Sequence, residues 1–266
     1  MMKIGCCVNM VAEDEYGIGI DRIETLERLG YDYIELPTAQ MMSLDDKAFS
    51  LLLKRVQDSG LPCLSSNNFL ADDLQLTGPE PTKPERLDSY VKKALERAEM
   101  LGITSIVFGS AGAKNIPAGF PYEAAWGQVR SFLQYLADLV EGSGMYIAIE
   151  PINTRDSNVI VSVAEGLKLA KEVDRPHIRL LADFYHMCYD KEGMDIIEKA
   201  ADYLQHMHIS HPDRTWPDQE DGIDYDAFIG ALKKANYTGG ISIEAYSEDF
   251  EADAARGRSA LKELIC

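Results

Sequence analysis

The sequence predicts an α/β fold, a closed (β/α)8 barrel, and three observations support this prediction. Short apolar runs alternate with longer amphipathic stretches eight times along the 266 residues. No break in composition divides the chain, which favours a single domain over residues 1–266. Single barrels of this type usually take about 250 residues, close to this length. A doubly wound open sheet is the structural alternative, but no GxGxxG turn follows the first strand to support a dinucleotide-binding version.

Eight segments rich in Ile, Val, Leu and Tyr predict the strands of the barrel. Each segment is short and mostly apolar, as expected of parallel strands that are buried on both faces. In chain order the predicted strands are Lys3–Asn9, Tyr31–Leu36, Pro62–Ser66, Ser105–Gly109, Tyr146–Glu150, Ile178–Asp183, Tyr203–Ile209 and Gly240–Ala245.

The segments between these strands predict the helices that surround the barrel. Apolar residues recur at helical spacing from Ile20 to Leu29, from Leu51 to Val56, from Tyr90 to Leu101 and from Val129 to Val140. Glycines that can adopt the left-handed conformation follow the predicted helices. They are Gly30, Gly60, Gly102, Gly142 or Gly144, and Gly239. Ser162 and Asp224 are predicted to cap helix N-termini.

Composition restricts the classes of partner that we expect. The formal net charge of −18 argues against a nucleic-acid partner, because phosphate binding requires a basic face. No apolar run approaches the roughly 20 residues that span a bilayer, so no membrane partner is expected. The five cysteines form no CxxC pair, and residues 1–17 lack a basic segment followed by an apolar stretch. These features predict a cytoplasmic protein with reduced thiols.

Four consecutive predicted strands end in side chains that can bind a divalent cation. The fifth to eighth strands end, in order, in Glu150, Asp183, His208 and Glu244. The carboxyl ends of all strands in a barrel open on one face, where the catalytic groups of such enzymes lie. A single acidic residue at a strand end is usually a helix cap or a solvated loop residue. Four such residues on successive strands predict a shared site instead.

The chemistry of these four side chains predicts a metal centre. Three carboxylates gathered without a cation repel one another, and at least one pKa is then forced upward. A divalent ion removes this cost. Oxygen-rich donor sets suit hard or borderline cations better than they suit a thiolate type of zinc site. We expect Mn²⁺ first, with Mg²⁺, Co²⁺ or Zn²⁺ as alternatives.

Two further side chains are candidates for contact with a substrate. His186 follows Asp183 by three residues, so one short turn could carry both groups; it could bind a substrate oxygen or add a metal ligand. Arg214 could bind a hydroxyl, carboxylate or phosphate group through its planar guanidinium. The alternative for Arg214 is a surface arginine paired to Asp213 or Asp218.

Other polar residues are predicted at the same rim of the barrel. Asp156 lies on the loop after the fifth strand, Glu35 ends the second strand, and Asn67 or Asn68 follows the third. For Glu35, Asn67 and Asn68 the alternative is a structural role in the loops. Alternation along the seventh strand places His206 deeper in the barrel, on the same side as the strand-end histidine.

Four motifs together resemble a known family. They are Ile149-Glu-Pro-Ile-Asn153, Asp183-Phe-Tyr-His186, His206-Met-His208 with Arg214 after it, and Tyr237-Thr-Gly-Gly-Ile-Ser-Ile-Glu244. The chain resembles the sugar isomerase and epimerase branch of the xylose isomerase-like TIM-barrel superfamily. It is most similar there to D-tagatose and D-psicose 3-epimerases and to hydroxypyruvate isomerase-like proteins. The resemblance covers essentially the whole chain and is most specific over residues 145–246.

The resemblance implies roles for individual residues. It implies a metal ion held by Glu150, Asp183, His208 and Glu244. Two of these ligands, Glu150 and Glu244, would transfer protons, and the substrate would be contacted by His186, Arg214 and Asp156. The epimerases carry a glutamate where His211 stands here, and another glutamate where Asp156 stands, so both differences bear on which sugar is bound. The family also implies a homodimer or homotetramer.

The reaction predicted from these residues is isomerisation or epimerisation of a small sugar, sugar phosphate or hydroxy-carbonyl compound. A cation that bridges a ketone oxygen and a neighbouring hydroxyl acidifies the adjacent carbon by stabilising an enediolate. One carboxylate then removes the proton, and its partner returns a proton on the opposite face. A single base that moves the proton between adjacent carbons would instead interconvert an aldose and a ketose.

Two other functions are compatible with the same skeleton. The first is a phosphodiesterase like endonuclease IV, which uses extra histidines after strands three and four. Those strands end here in Ser65-Ser-Asn-Asn68 and Phe108-Gly-Ser-Ala111, without histidine, which argues for a single metal ion. The second is a barrel that binds a sugar without turnover, against which the presence of both Glu150 and Glu244 argues.

Overall fold

Eight parallel strands form a closed barrel in which each strand pairs with its neighbours in the sequence. The computed structural model describes residues 2–218 and 220–266. The strands are β1 (Lys3–Cys7), β2 (Tyr33–Pro37), β3 (Cys63–Asn67), β4 (Ser105–Phe108), β5 (Tyr146–Ile149), β6 (Ile178–Asp183), β7 (Leu204–Ile209) and β8 (Gly240–Ile243). The predicted (β/α)8 barrel is confirmed, and β6 has the predicted bounds.

Helices follow the strands and form the outer layer. They are α1 (Ile23–Leu29), α2 (Thr38–Ser43), α3 (Asp46–Asp58), α4 (Pro84–Leu101), α5 (Ala111–Lys114), α6 (Tyr122–Leu139), α7 (Val163–Val173), α8 (Phe184–Tyr189), α9 (Asp195–Lys199), α10 (Asp226–Lys234) and α11 (Phe250–Ile265). Short 3-10 turns lie at Val8–Val11, Ile20–Arg22 and Ala201–Tyr203. Among the described residues, no helix has the length and apolar content needed to cross a bilayer.

The ends of several helices agree with the local sequence signals, and one does not. Gly30 and Gly102 adopt the left-handed conformation directly after α1 and α4. The Ser162 side chain caps the first turn of α7. The prediction that Gly239 follows α10 in this conformation is wrong, because Asn236 takes it with φ of 54°. Asparagine tolerates this region better than other side chains, so the chain turns there earlier.

Alternation along the strands separates the two faces of the barrel wall. Outward residues such as Ile34 on β2 and Met207 on β7 belong to the large core between sheet and helices. On the inner side, Val107, Ala148 and Leu181 of β4, β5 and β6 form a small apolar cluster. The inner side of β2, β7 and β8 is instead polar and buried, with Glu35, His206, His208 and Ser242. Glu35 and the two histidines therefore lie in the same part of the barrel interior.

Candidate active site

The structure brings the four strand-end residues together at the carboxyl end of the barrel. One donor atom from each of Glu150, Asp183, His208 and Glu244 lies within 4.8 Å of the donor atoms of the others. Asp183 and His208 are direct neighbours in the register of β6 and β7. Glu150 and Glu244 are the first residues after β5 and β8. The side chains meet because parallel strands of a closed barrel end on the same face.

His208 lies at the centre of this cluster and is completely buried. Its Nδ1 atom is 3.1 Å from Oε1 of Glu150 and 3.5 Å from Oε2 of Glu244. Glu150 and Asp183 are also buried. The imidazole therefore presents one nitrogen to two carboxylates, which follow β5 and β8.

Arg214 belongs to the site and not to the surface. Its Nη1 donates to Oε2 of Glu244 at 2.7 Å, and its Nη2 donates to Oδ2 of Asp183 at 3.0 Å. The guanidinium carbon lies 4.0 Å from the centre of the Tyr185 ring. The alternative of a surface arginine paired to Asp213 or Asp218 is therefore wrong.

The backbone at Arg214 is held in a conformation that non-glycine residues rarely adopt, with φ of 59°. Its amide donates to the carbonyl of His211 at 2.8 Å, and its own carbonyl accepts from the amide of Tyr246 at 2.8 Å. Such backbone strain persists only where surrounding contacts enforce it, and it is concentrated at functional sites. Here it directs the guanidinium inward.

The charge of Glu244 is maintained by its surroundings. Burial alone would raise the pKa of this carboxyl, but Arg214 and then His208 outweigh it, so the pKa lies well below its usual value. A carboxylate with a lowered pKa is ionised throughout the neutral range. Glu244 is therefore present as an anion that can bind a cation or accept a proton.

The proton position on His186 follows from its neighbours. The backbone amide of Asn153 donates to Nδ1 at 3.2 Å, so Nδ1 is an acceptor. In the neutral ring the proton then lies on Nε2, which is 3.5 Å from Oδ2 of Asp183. Nε2 is also 3.2 Å from Nη2 of Arg214, but two donors cannot bond to each other. His186 thus presents an N–H group beside the cluster.

The short helix α8 places His186 and Asp183 on one turn, as the sequence predicts. The helix begins directly after the last residue of β6, and Oδ1 of Asp183 caps it by accepting from the amide of Tyr185 at 2.8 Å. The other oxygen of Asp183 faces Arg214. One carboxylate therefore ends a strand, starts a helix and contributes to the site.

Glu35 lies in a different place from the one predicted. It is fully buried inside the barrel, where Oε2 is 2.6 Å from Nε2 of His206 and Oε1 is 3.0 Å from Nε2 of His208. Burial alone would raise the pKa of Glu35, but the two histidines hold it well below its usual value. Glu35 therefore lies inside the barrel and not at the predicted rim, because alternation from Tyr33 directs it inward. Its contact with a substrate stays a prediction.

Asn67 and Asp156 lie on the predicted loops and strand ends, away from the contacts between the four central side chains. Asn67 is buried, and its Nδ2 donates to Oδ1 of Asn9 at 3.0 Å. Within residues 2–218 and 220–266, Oδ1 of Asn67 has no hydrogen-bond partner. Asp156 is paired to Arg155 at 3.0 Å. The amide of Asp213 donates to Nδ1 of His211 at 3.0 Å.

Sequence reasoning assigned no role to two further residues at the site, Lys114 and Tyr185. Lys114 at the end of α5 is fully buried, and its Nζ donates to the carbonyl of Glu150 at 2.9 Å. Burial lowers the pKa of Lys114 to about 8. The hydroxyl of Tyr185 accepts from Arg155 at 2.8 Å while Arg214 covers the ring. The burial of Lys114 depends on how the segment after β4 folds over the barrel, which residue type and spacing do not encode. Tyr185 lies on α8, the turn predicted after Asp183, but its contacts with Arg155 and Arg214 depend on other segments.

The donor set fits a divalent cation. Glu150, Asp183 and Glu244 contribute carboxylate oxygens and His208 contributes an imidazole nitrogen, a combination that suits Mn²⁺, Mg²⁺ and similar ions. Arg214 is the positive side chain that bonds directly to two of these carboxylates. A cation would neutralise the remaining negative charge. These four residues are therefore the ones that would hold the ion.

Comparison with known proteins identifies the family of this chain. The family model described as xylose isomerase-like TIM barrel matches residues 23–264. The chain belongs to the xylose isomerase-like TIM-barrel family. The resemblance drawn from the four sequence motifs is thereby confirmed.

Several curated proteins similar to this chain are sugar epimerases. An L-ribulose 3-epimerase from Methylomonas sp. is 28% identical over 226 residues, which cover 84% of this chain and 76% of the relative. A ketose 3-epimerase from Arthrobacter globiformis is 24% identical over 257 residues, which cover 94% of this chain and 86% of the relative. A crystal structure of D-allulose 3-epimerase from Methylomonas sp. in complex with D-allulose has a TM-score of 0.86 at 24% identity. The superposition covers 98% of this chain and 96% of the allulose epimerase chain, which shows that the two proteins share a fold.

Proposed function

We propose that this protein is a divalent-metal-dependent epimerase or isomerase of a small ketose or a related hydroxy-carbonyl compound. The enzyme class is supported by relatives that include an L-ribulose 3-epimerase and a ketose 3-epimerase. The observation that carries the proposal is the convergence of two glutamates, Glu150 and Glu244, on one imidazole at the barrel mouth. The phosphodiesterase alternative is not favoured by these relatives.

The metal would be held by Glu150, Asp183, His208 and Glu244, whose donor atoms lie within 4.8 Å of one another. When bound, a divalent ion supplies stabilisation of the negative charge that develops on substrate oxygens. Three further properties remain predictions: that the ion is Mn²⁺, that the protein is cytoplasmic, and that it forms a homodimer or homotetramer.

Proton transfer would be carried out by Glu150 and Glu244. They follow β5 and β8, so they reach the centre of the site from different parts of the barrel wall. A substrate carbon between them would lose its proton to the ionised carboxylate of one glutamate and receive a proton on the opposite face from the other glutamate, which would enter the step as a carboxylic acid. Arg214 and His208 keep Glu244 in the ionised form that can accept a proton. Because a lowered pKa also makes this carboxylate a weak base, stabilisation of the enediolate would have to supply most of the reduction in the barrier. The chemical result is inversion at that carbon.

Substrate oxygens would be bound by groups around this pair. Nε2–H of His186 and the guanidinium of Arg214 provide donors beside the cluster. Asn67 offers a buried carbonyl oxygen without a partner in the described part of the chain, suited to a substrate hydroxyl. Asp156 is proposed as a contact from the loop after β5, after release from Arg155.

The test is exchange of substrate hydrogen with deuterated water. Glu150→Gln and Glu244→Gln each keep the shape of the side chain and remove the base, so we expect exchange to fall by at least about 100-fold. Mass spectrometry of free and phosphorylated ketoses would measure the deuterium incorporated, and circular dichroism would check the fold.

The matched control is Glu141→Gln, which changes an exposed glutamate and should leave exchange unchanged. Wild-type exchange rates in both site variants would refute the mechanism. Substrate binding without exchange in the wild-type protein would favour the binding barrel instead.

A further inference from the structure

We propose that Glu35 is a positioning residue that directs Nδ1 of His208 toward the metal centre. The inference rests on the proposed function, since it assigns a role toward the ion that the four strand-end residues would hold. It concerns a side chain that touches neither the proposed substrate groups nor the other three ligands in the contacts described above.

The contacts of His208 divide between its two ring nitrogens. Nδ1 faces Glu150 and Glu244, while Nε2 faces Oε1 of Glu35 at 3.0 Å on the opposite side of the ring. Both His208 and Glu35 are completely buried. The hydrogen bond therefore spans the barrel interior from β7 to β2, where water does not compete with it.

The chemistry of this bond fixes which nitrogen carries a proton. An ionised carboxylate can only accept hydrogen bonds, so Nε2 of His208 must be the donor. The lone pair available to a cation then belongs to Nδ1. Hydrogen bonding of the remote ring nitrogen to a carboxylate sets the tautomer and orientation of a metal-binding histidine and raises its basicity.

Glu35 is itself held in place by a buried network. Its Oε2 lies 2.6 Å from Nε2 of His206 and accepts from the hydroxyl of Ser242, also at 2.6 Å. Because Ser242 donates its single proton to Glu35, the hydroxyl of Tyr33, 2.9 Å from Ser242, donates to Ser242 in turn. A buried carboxylate is stable only when such partners satisfy it. The network leaves Glu35 little freedom to move.

Glu35, His206 and His208 also place donor atoms within 4.8 Å of one another, so a second ion site is the competing explanation. The direct contacts of 2.6 Å and 3.0 Å favour hydrogen bonds, because each imidazole already has the carboxylate as its partner. The two explanations differ in the number of ions bound per chain.

The test compares Co²⁺ binding to the wild-type chain and to Glu35→Gln by calorimetry and by the visible spectrum of the bound ion. The amide has the shape of the carboxylate but can accept through only one oxygen, so we expect Co²⁺ affinity to fall about 10- to 100-fold. We also expect the spectrum to change, because the histidine ligand is reoriented. Ser65→Ala is the matched control: Ser65 is the buried register partner of Glu35, and its hydroxyl donates to the carbonyl of Ser105 at 3.1 Å. This control should keep the wild-type affinity and spectrum.

A second measurement needs neither metal nor a variant of Glu35. In the wild-type protein, ¹H–¹⁵N spectra of the histidine rings should show a protonated Nε2 on His208, assigned by its loss in His208→Asn. An unprotonated Nε2 would overturn the inference even if Glu35→Gln fails to fold.

The outcomes separate this inference from the proposed function. Equal Co²⁺ affinity and spectrum in wild type and Glu35→Gln would overturn the role of Glu35 and leave the metal centre intact. Two ions per wild-type chain and one in Glu35→Gln would overturn it in favour of the second ion site. A wild-type chain that binds no Co²⁺ would overturn the metal centre itself and this inference with it.

Discussion

Gly109, the first residue after β4, leaves the space that the Glu150 carboxylate occupies. A Cβ atom at this position would lie 2.0 Å from Oε2 of Glu150. The backbone of Gly109 does not have positive φ, so its role is to provide room for a neighbour and not to allow an unusual conformation. The absence of a single methyl group therefore sets where a proposed metal ligand can lie.

We expect Gly109→Ala to reduce activity and metal affinity with little effect on global stability. The new methyl group would displace the end of a flexible side chain, so the carboxylate would leave the cluster while the fold adapts. Titration calorimetry with Mn²⁺ and thermal unfolding would measure the two effects.

The control for this prediction is Gly127→Ala in α6, where no described atom lies within 4 Å of the added Cβ. In a helix this change should raise the free energy of unfolding by up to about 1 kcal/mol and leave binding unchanged. If Gly109→Ala bound Mn²⁺ like wild type, the steric argument would fail.

At the scale of one element, the start of α7 fixes the end of the loop that carries Asn153 and Asp156. Oγ of Ser162 accepts from the amide of Glu165 at 3.1 Å. The carboxylate of Glu165 in turn accepts from the amide of Val161 at 2.8 Å. These reciprocal bonds satisfy amides that the first turn of a helix leaves without partners.

Removal of this cap should lower stability without changing the site. We expect Ser162→Ala to reduce the free energy of unfolding by about 1 kcal/mol, measured by urea denaturation. Metal affinity should stay at the wild-type value, because none of the proposed ligands contacts Ser162. Ser50→Ala, at an exposed position inside α3, should change stability by less than about 0.5 kcal/mol. Equal effects of the two substitutions would contradict the capping role.

At the scale of the whole molecule, the proposed metal centre would connect four strands of the barrel wall. Its proposed ligands follow or end β5, β6, β7 and β8, so an ion would link the last four strands of the barrel. An ion that binds only the folded state stabilises it by mass action. Binding of the proposed ion and folding of the barrel would therefore be coupled.

We expect Mn²⁺ at 100 times its Kd to stabilise the protein by about 2.7 kcal/mol. Melting temperature should rise by roughly 5–10 °C, and a chelator should reverse the rise. Calorimetric melts with and without Mn²⁺ would measure this. Asp183→Asn should lose most of the effect. A similar rise in Asp183→Asn would show that Mn²⁺ acts through the acidic surface, since the net charge is −18.

The sequence by itself determined the barrel and the four residues at its mouth. Eight apolar segments at the spacing of strand-plus-helix units are compatible with few other folds. Because the strands of such a barrel are parallel, their carboxyl ends all lie on one face. Glu150, Asp183, His208 and Glu244 could therefore be grouped from their position in the chain alone, and His186 from its place one turn after Asp183.

Only the tertiary structure decided which side chains meet across the barrel and under its loops. Glu35 bonds to His206 and His208, which are 171 and 173 residues away, and this pairing depends on strand register and tilt. The inward turn of Arg214 and the burial of Lys114 likewise depend on how loops fold over the strand ends. Local sequence patterns determine the face of a strand or helix to which each side chain points. Contacts between distant segments are instead set by the packing of the whole barrel.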